Sequence, residues 1–182
     1  MSVTILDGPV GTELLRRGVP TPPPGWSSSA IRDSPDVVRA IHADYAAAGA
    51  VVHTANTFRT RPAVWGSAWR DLATRAVGLA RQGAGGAGRV AGSIAPLADC
   101  YRPDLSPPDS GPRHVALAQV LADAGCDLLL CETFPHPAEA LAAVDAAVGT
   151  GLESWVSFTA GPAGDLMSPS EMRLAAQEAV RR

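Results

Sequence analysis

The sequence predicts an α/β protein built on a parallel sheet, and three features predict it. Short apolar runs alternate with stretches of helical periodicity along the whole chain. One run, Leu128-Leu129-Leu130-Cys131, shows no polar alternation, as expected of a strand buried on both faces between helices. Residues 48–58 also align without gaps on residues 124–134. Both pieces read helix end, glycine turn, apolar strand, then a polar residue, Thr and Phe. A repeated βα piece fits a (β/α) barrel, although convergence on a common αβ turn competes with that reading.

The totals narrow the class. A length of 182 residues suffices for one domain with a real core, expected over residues 1–182. A net charge of −3 and a pI near 5.7 give no basic surface for nucleic acid or an anionic membrane. No apolar run approaches the ~20 residues that span a bilayer. The N-terminal residues lack the basic region and apolar core of an export signal. Three cysteines, Cys100, Cys126 and Cys131, form no CxxC pair, which fits a reducing cytoplasm. All basic side chains are arginine, so Schiff-base chemistry and a lysine general base are excluded.

Five strand-then-helix units follow in order. The first strand covers residues 3–6 and ends in Asp7-Gly8; residues 16–29 read as irregular, with four prolines. The first helix opens at Ser34 as N-cap and Pro35 in the first turn, carries Val37, Ile41, Tyr45 and Ala48 on one stripe, and stops at Gly49. The second strand, residues 51–55, ends in Asn56-Thr57, and the second helix covers about 67–81. The third strand is 89–94 and the third helix about 112–125. The fourth strand is the buried run; its helix spans about 137–148. The fifth strand, 154–158, precedes a helix opening at Ser168-Pro169-Ser170-Glu171.

Ligands of parallel α/β folds bind beyond the carboxyl ends of the strands. Asp7, Asn56, Ser93 and Glu132 fall at those ends. Two carboxylates and an amide meeting there are suited to a ligand ammonium; a carboxylate pair is equally suited to acid–base work. Gly8 and Gly11 allow a ligand close to the backbone, while an Asx turn at Asp7 is the structural alternative. The run Gly83-Ala84-Gly85-Gly86-Ala87-Gly88 formally matches GxGxxG, but it follows a helix and opens a strand, the reverse of a dinucleotide site, so it reads as a flexible connector. His53 reads as an interior residue, His42 and His114 as surface or packing residues, and His136 as a helix-start residue that also lies within reach of a ligand face. Trp65 and Trp69 read as packing residues of the second helix.

Several of these stretches, in one register, resemble the homocysteine S-methyltransferase family. They are residues 6–14, Trp26-Ser27, residues 38–57, Gly92-Ser93-Ile94-Ala95-Pro96, Cys131-Glu132-Thr133-Phe134-Pro135 and Trp155-Val156-Ser157-Phe158. The resemblance implies a (β/α)8 TIM barrel and a methyltransferase of methionine biosynthesis. Such an enzyme moves a methyl group from a sulfonium or ammonium donor to the homocysteine thiol. It implies substrate-binding roles for Asp7, Gly8 and Glu132, with Asn56 and Thr57 lining the pocket. It also implies zinc, which holds the thiol as thiolate. The family's three zinc cysteines lie beyond the fifth βα unit, and a complete barrel takes about 250 residues. This chain therefore reads as a partial barrel with no recognisable zinc ligands, expected to bind homocysteine better than it methylates it. A second reading is a non-catalytic α/β domain that binds an amino acid, or pairs with another copy to cover its open sheet edges.

Overall fold

The sheet strands come in parallel pairs of consecutive strands. In a computed structural model, which describes residues 3–86 and 88–182, β1 (Val52–Ala55) pairs with β2 (Arg89–Ile94), and β3 (Leu128–Phe134) pairs with β4 (Glu153–Phe158). Helices α1 (Val10–Arg16), α2 (Ala30–Asp33) and α3 (Pro35–Ala47) precede β1; α4 (Pro62–Trp65), α5 (Trp69–Gly83), α6 (Ser110–Asp123) and α7 (Pro137–Val148) lie between the strands, and α8 (Pro169–Ala179) follows β4. The chain divides into two compact units, one of residues Met1–Ser93 with Val120–Asp127, the other of Ile94–Gln119 with Leu128–Arg182.

In the first unit, Leu14, Ile31, Val38, Ile41, Leu72, Ala76 and Leu79 form the apolar core. Here α3 and α5 pack together, and both meet β1. Pro35 starts α3 as expected, but the Ser34 side chain caps nothing. Gly49 follows α3 at φ 99° and Gly125 follows α6 at φ 88°. Both ends of the sequence echo therefore need the left-handed backbone that glycine supplies cheaply. Arg81 fastens the opposite end of the unit: its guanidinium meets the Asp127 carboxylate at 2.7 Å and donates to the Gly125 carbonyl at 2.8 Å. Asp127 in turn accepts the Val90 N–H at 2.6 Å.

Three expectations for this unit are corrected. Residues 3–6 are not a strand: only Leu6 bridges Val52, with Asp7 N donating to Val52 O, and Val3, Ile5 and Leu6 stay exposed. The irregular stretch contains order, since α1 precedes it and a 3₁₀ turn at Trp26–Ser29 runs into α2. Trp65 and Trp69 do not share a helix; Gly66 at φ 53° separates α4 from the 3₁₀ turn that leads into α5.

In the second unit, α7 packs on β3 and β4, and α8 packs on α7. The α7 boundaries are those the sequence predicts. His136 starts it by accepting the Glu139 N–H on Nδ1 at 3.3 Å. Ser168 and Glu171 close a reciprocal capping box at α8. Glu139 is a buried carboxylate in this unit. It accepts the Leu97 N–H at 2.7 Å and the Ser106 hydroxyl at 2.5 Å, and lies 3.3 Å from His114 Nε2. Of the surface or packing alternatives, His114 is thereby an interior packing residue.

Candidate functional site

The sequence-predicted residues of the first unit gather at the carboxyl ends of adjacent parallel elements. Asp7 follows the Leu6 bridge; its backbone reaches the surface but its side chain is 1% exposed. Both carboxylate oxygens lie 3.0 Å from the Thr54 N–H. Gly8 is required by a neighbour: a Cβ there would stand 2.6 Å from the Tyr45 hydroxyl oxygen and 2.8 Å from its ring. Sequence reasoning assigned that glycine to close approach of a ligand and missed the tyrosine, which arrives from α3. Burial chiefly, then the charges of Glu13 and Asp7, pushes the Tyr45 phenol above its ordinary range.

Asn56 and Thr57 continue from β1. Asn56 is fixed twice to Ser27: Oδ1 accepts from Ser27 Oγ and Nδ2 donates to Ser27 O, each at 2.8 Å. Thr57 is fully buried, and its hydroxyl donates to the Ser93 carbonyl at 2.8 Å. The register Ala55↔Gly92 brings these two strand ends side by side. Thr57 is thus a pin between strands, while Asn56 holds the 3₁₀ turn of Trp26–Ser29 to the strand end. The Trp26-Ser27 pair was the available signal for that contact.

Two histidines complete this region. His42 of α3 and His53 of β1 are both 0% exposed, with ring centroids 6.0 Å apart in an edge-on arrangement. His42 Nδ1 lies 3.3 Å from Asp7 Oδ2, without the geometry of a hydrogen bond. Burial, the main cause, holds the His53 ring below the ordinary imidazole range; the Asp7 charge and the nearby Ala50 backbone oppose it, although neither ring nitrogen makes a hydrogen bond of ordinary geometry. Of the two expectations for His42, surface or packing, its burial fits the second. The glycine-rich connector also has a defined role: a Cβ on Gly83 would stand 2.5 Å from His42 Cβ, and one on Gly88 would stand 2.7 Å from His53 Cδ2. Gly83 thus makes room for α3 at His42, and Gly88 for the His53 ring. Ala87 lies outside the described residues.

Glu132, in the second unit, is half-buried near the end of β3. The β3–β4 register shifts between Cys131 and Phe134, and Thr133 takes φ 64°. A β-branched residue in that conformation costs on the order of 1–3 kcal/mol and persists only where its surroundings enforce it. Here the Thr133 N–H donates to Ser157 Oγ at 3.2 Å. Irregularities of this kind re-aim side chains beside functional sites, and Glu132 is the side chain carried by this one.

The cysteines do not fit a thiolate-held metal. Cys100 is half-buried, and burial pushes the Cys126 and Cys131 thiols up to about 12. Among the described residues, no cluster of three metal-ligating side chains includes a cysteine. Asp7, His42 and His53 form such a cluster, each offering a donor atom within 4.8 Å of the others.

Comparison with known proteins places these features in context. The family described as Homocysteine S-methyltransferase matches residues 4–181. The Homocysteine S-methyltransferase of Escherichia coli K12 is 33% identical over 86% of this chain, and the chain spans 58% of that protein. The S-methylmethionine–homocysteine S-methyltransferase BHMT2 of the mouse is 31% identical over 80% of the chain, which spans 41% of it. Among solved structures, the metallated form of the homocysteine methyltransferase MmuM from Escherichia coli superposes with a TM-score of 0.80 at 28% identity, covering 87% of this chain and 64% of that one. The fold is therefore that of the homocysteine methyltransferase TIM barrels, of which this chain covers part.

Proposed function

The chain belongs to the homocysteine S-methyltransferase family, and we propose that it provides the homocysteine-binding part of such an enzyme. The reaction would transfer a methyl group from a sulfonium or ammonium donor to the homocysteine thiol, giving methionine. The observation that carries this reading is the family match over residues 4–181, which includes every strand end described above.

In this reading Asp7 and Glu132 neutralise the substrate ammonium, Gly8 lines the same pocket, and Asn56 and Thr57 shape its wall. The Asp7 carboxylate faces inward in the structure, so it would take the ammonium beside or in place of the Thr54 N–H. Zinc would supply deprotonation of the thiol. The cysteines of this chain do not suit it, so methyl transfer by these 182 residues alone is expected to be poor or nil.

Calorimetric titration of the purified chain with L-homocysteine tests the reading. Saturable binding is expected, weakened at least about tenfold by Asp7→Asn or Glu132→Gln. Each substitution removes a charge-assisted hydrogen bond of about 1.5–3 kcal/mol. No binding, or binding indifferent to both substitutions, would refute it. Sustained methionine formation from S-methylmethionine by the chain alone would overturn the expectation of impaired turnover.

A further inference from the structure

We propose that Asp7, His42 and His53 form a binding site for a divalent transition-metal ion, held by two imidazoles and one carboxylate. The three residues come from separate elements: the segment after the Leu6 bridge, the middle of α3 and the middle of β1. Their donor atoms lie within 4.8 Å of one another. Donors of a tetrahedral site with bonds near 2.0–2.1 Å are about 3.4 Å apart, so small side-chain rotations close the set around one ion.

The second observation is the unsatisfied chemistry of the rings. His42 and His53 are fully buried, and none of their four nitrogens has a hydrogen-bond partner. A buried polar group left without a partner costs about 1–3 kcal/mol, and native interiors rarely leave even one. A proton shared between His42 and Asp7 would account for one nitrogen of the four. An ion would account for one on each ring and for the buried carboxylate charge. The Thr54 N–H already orients that carboxylate, as outer-shell donors do for metal ligands.

The glycines at 83 and 88 fit the same account. Larger residues there would drive His42 and His53 out of position. Two imidazoles with one carboxylate select zinc or cobalt over magnesium or calcium, which prefer all-oxygen sets. The site contains no sulfur. It shares Asp7 with the homocysteine reading, so ion and ammonium would compete for that carboxylate; metal stoichiometry measured without substrate and homocysteine titration of metal-free protein test the two readings separately.

The test is equilibrium dialysis of the metal-free 182-residue chain against cobalt(II), with elemental analysis and visible spectroscopy. One cobalt per chain is expected, with d–d absorption and no sulfur-to-cobalt charge-transfer band. His53→Gln should weaken binding about 10–100-fold, whereas Cys100→Ser leaves it unchanged. If His53→Gln fails to fold, zinc titration of the unaltered chain followed by histidine ring resonances decides. His42 and His53 signals should shift while His114 and His136 signals stay. Substoichiometric cobalt, a thiolate band, or ring shifts at other histidines would overturn the proposal.

Discussion

Each unit buries one histidine–carboxylate pair at the same separation, and the two pairs are treated differently. In the second unit His114 Nε2 and Glu139 Oε1 are 3.3 Å apart. Glu139 there also accepts the Leu97 N–H and the Ser106 hydroxyl, so the carboxylate is fully occupied. In the first unit His42 Nδ1 and Asp7 Oδ2 are likewise 3.3 Å apart. Here His53 adds a second ring, and four nitrogens are left without partners. The first arrangement is what a structural network looks like; the second resembles a site prepared for something else. The pair in the second unit leaves only His114 Nδ1 without a partner, against both nitrogens of both rings in the first unit; that difference, not distance between charges, separates the two.

The largest expected effect breaks the pair whose carboxylate is occupied. Glu139→Ala strands the Leu97 N–H, the Ser106 hydroxyl and the His114 ring in a dry interior. It should destabilise the protein by about 3–5 kcal/mol in urea denaturation, as removal of one partner from a buried pair does. Glu139→Gln keeps an acceptor for the Leu97 amide and should lose clearly less. Equal losses would mean that the charge, not the hydrogen bonding, sets the value of the network.

Acid reaches the same carboxylate without mutation. Burial, the largest single influence, pushes Glu139 up, but the hydrogen bonds of His114, Leu97 and Ser106 together hold it below its ordinary range. A folded-state value lower than the unfolded one contributes stability that is present above the unfolded carboxylate range. That stability is lost as the pH falls through the folded value. Melting temperature should therefore decline as the pH drops below about 4.3, the unfolded glutamate value. Glu139→Gln should flatten part of that decline. An unchanged acid limb in the variant would place the sensitive group elsewhere.

How much of this was legible in the sequence follows the same division. The strand at residues 89–94 and the helix at 137–148 match the structure residue for residue. Glycine stops, a proline in the first turn and a plain apolar period specify them locally. The short helix α1 was not legible, because Gly8, Pro9 and Gly11 read as a turn and only burial of Leu14 in the core holds the helix. Asn56 and Thr57 were legible as strand-end residues, since that position is local, whereas Asp7 follows a segment that pairs only through the Leu6 bridge. The histidine pair was not. His42 and His53 come from different elements and meet Asp7 only through packing, and nothing in their spacing marks them as partners.

The glycines that back the histidines give a smaller effect and sharpen the comparison. Gly83→Ala places a Cβ 2.6 Å from the Arg39 carbonyl oxygen and 2.5 Å from His42 Cβ, so α3 and α5 must part. Overpacking of this kind costs about 1–3 kcal/mol. Gly88→Ala meets the edge of the His53 ring at 2.7 Å and Ala84 Cβ at 3.1 Å but no backbone atom, and should cost less. In thermal melts the order Gly83→Ala below Gly88→Ala below wild type is expected. The reverse order would mean that the His53 ring is the more rigid of the two.

The smallest expected effect is the most discriminating. His42→Leu, in metal-free protein, replaces a fully buried ring whose two nitrogens have no partner. Removing an unsatisfied polar group in favour of an apolar one of similar volume is close to neutral or stabilising. Against that stands the loss of the polar ring beside the buried Asp7 carboxylate, which keeps the Thr54 N–H. The two should nearly cancel, leaving a change within about 1 kcal/mol in urea denaturation. The matching substitution in the other unit, His114→Leu, removes a partner from an occupied carboxylate and should lose several-fold more. A loss at His42 as large as that at His114 would show that the first pair is also structural. A gain would show that the protein keeps His42 at the expense of its own stability, as residues retained for function are.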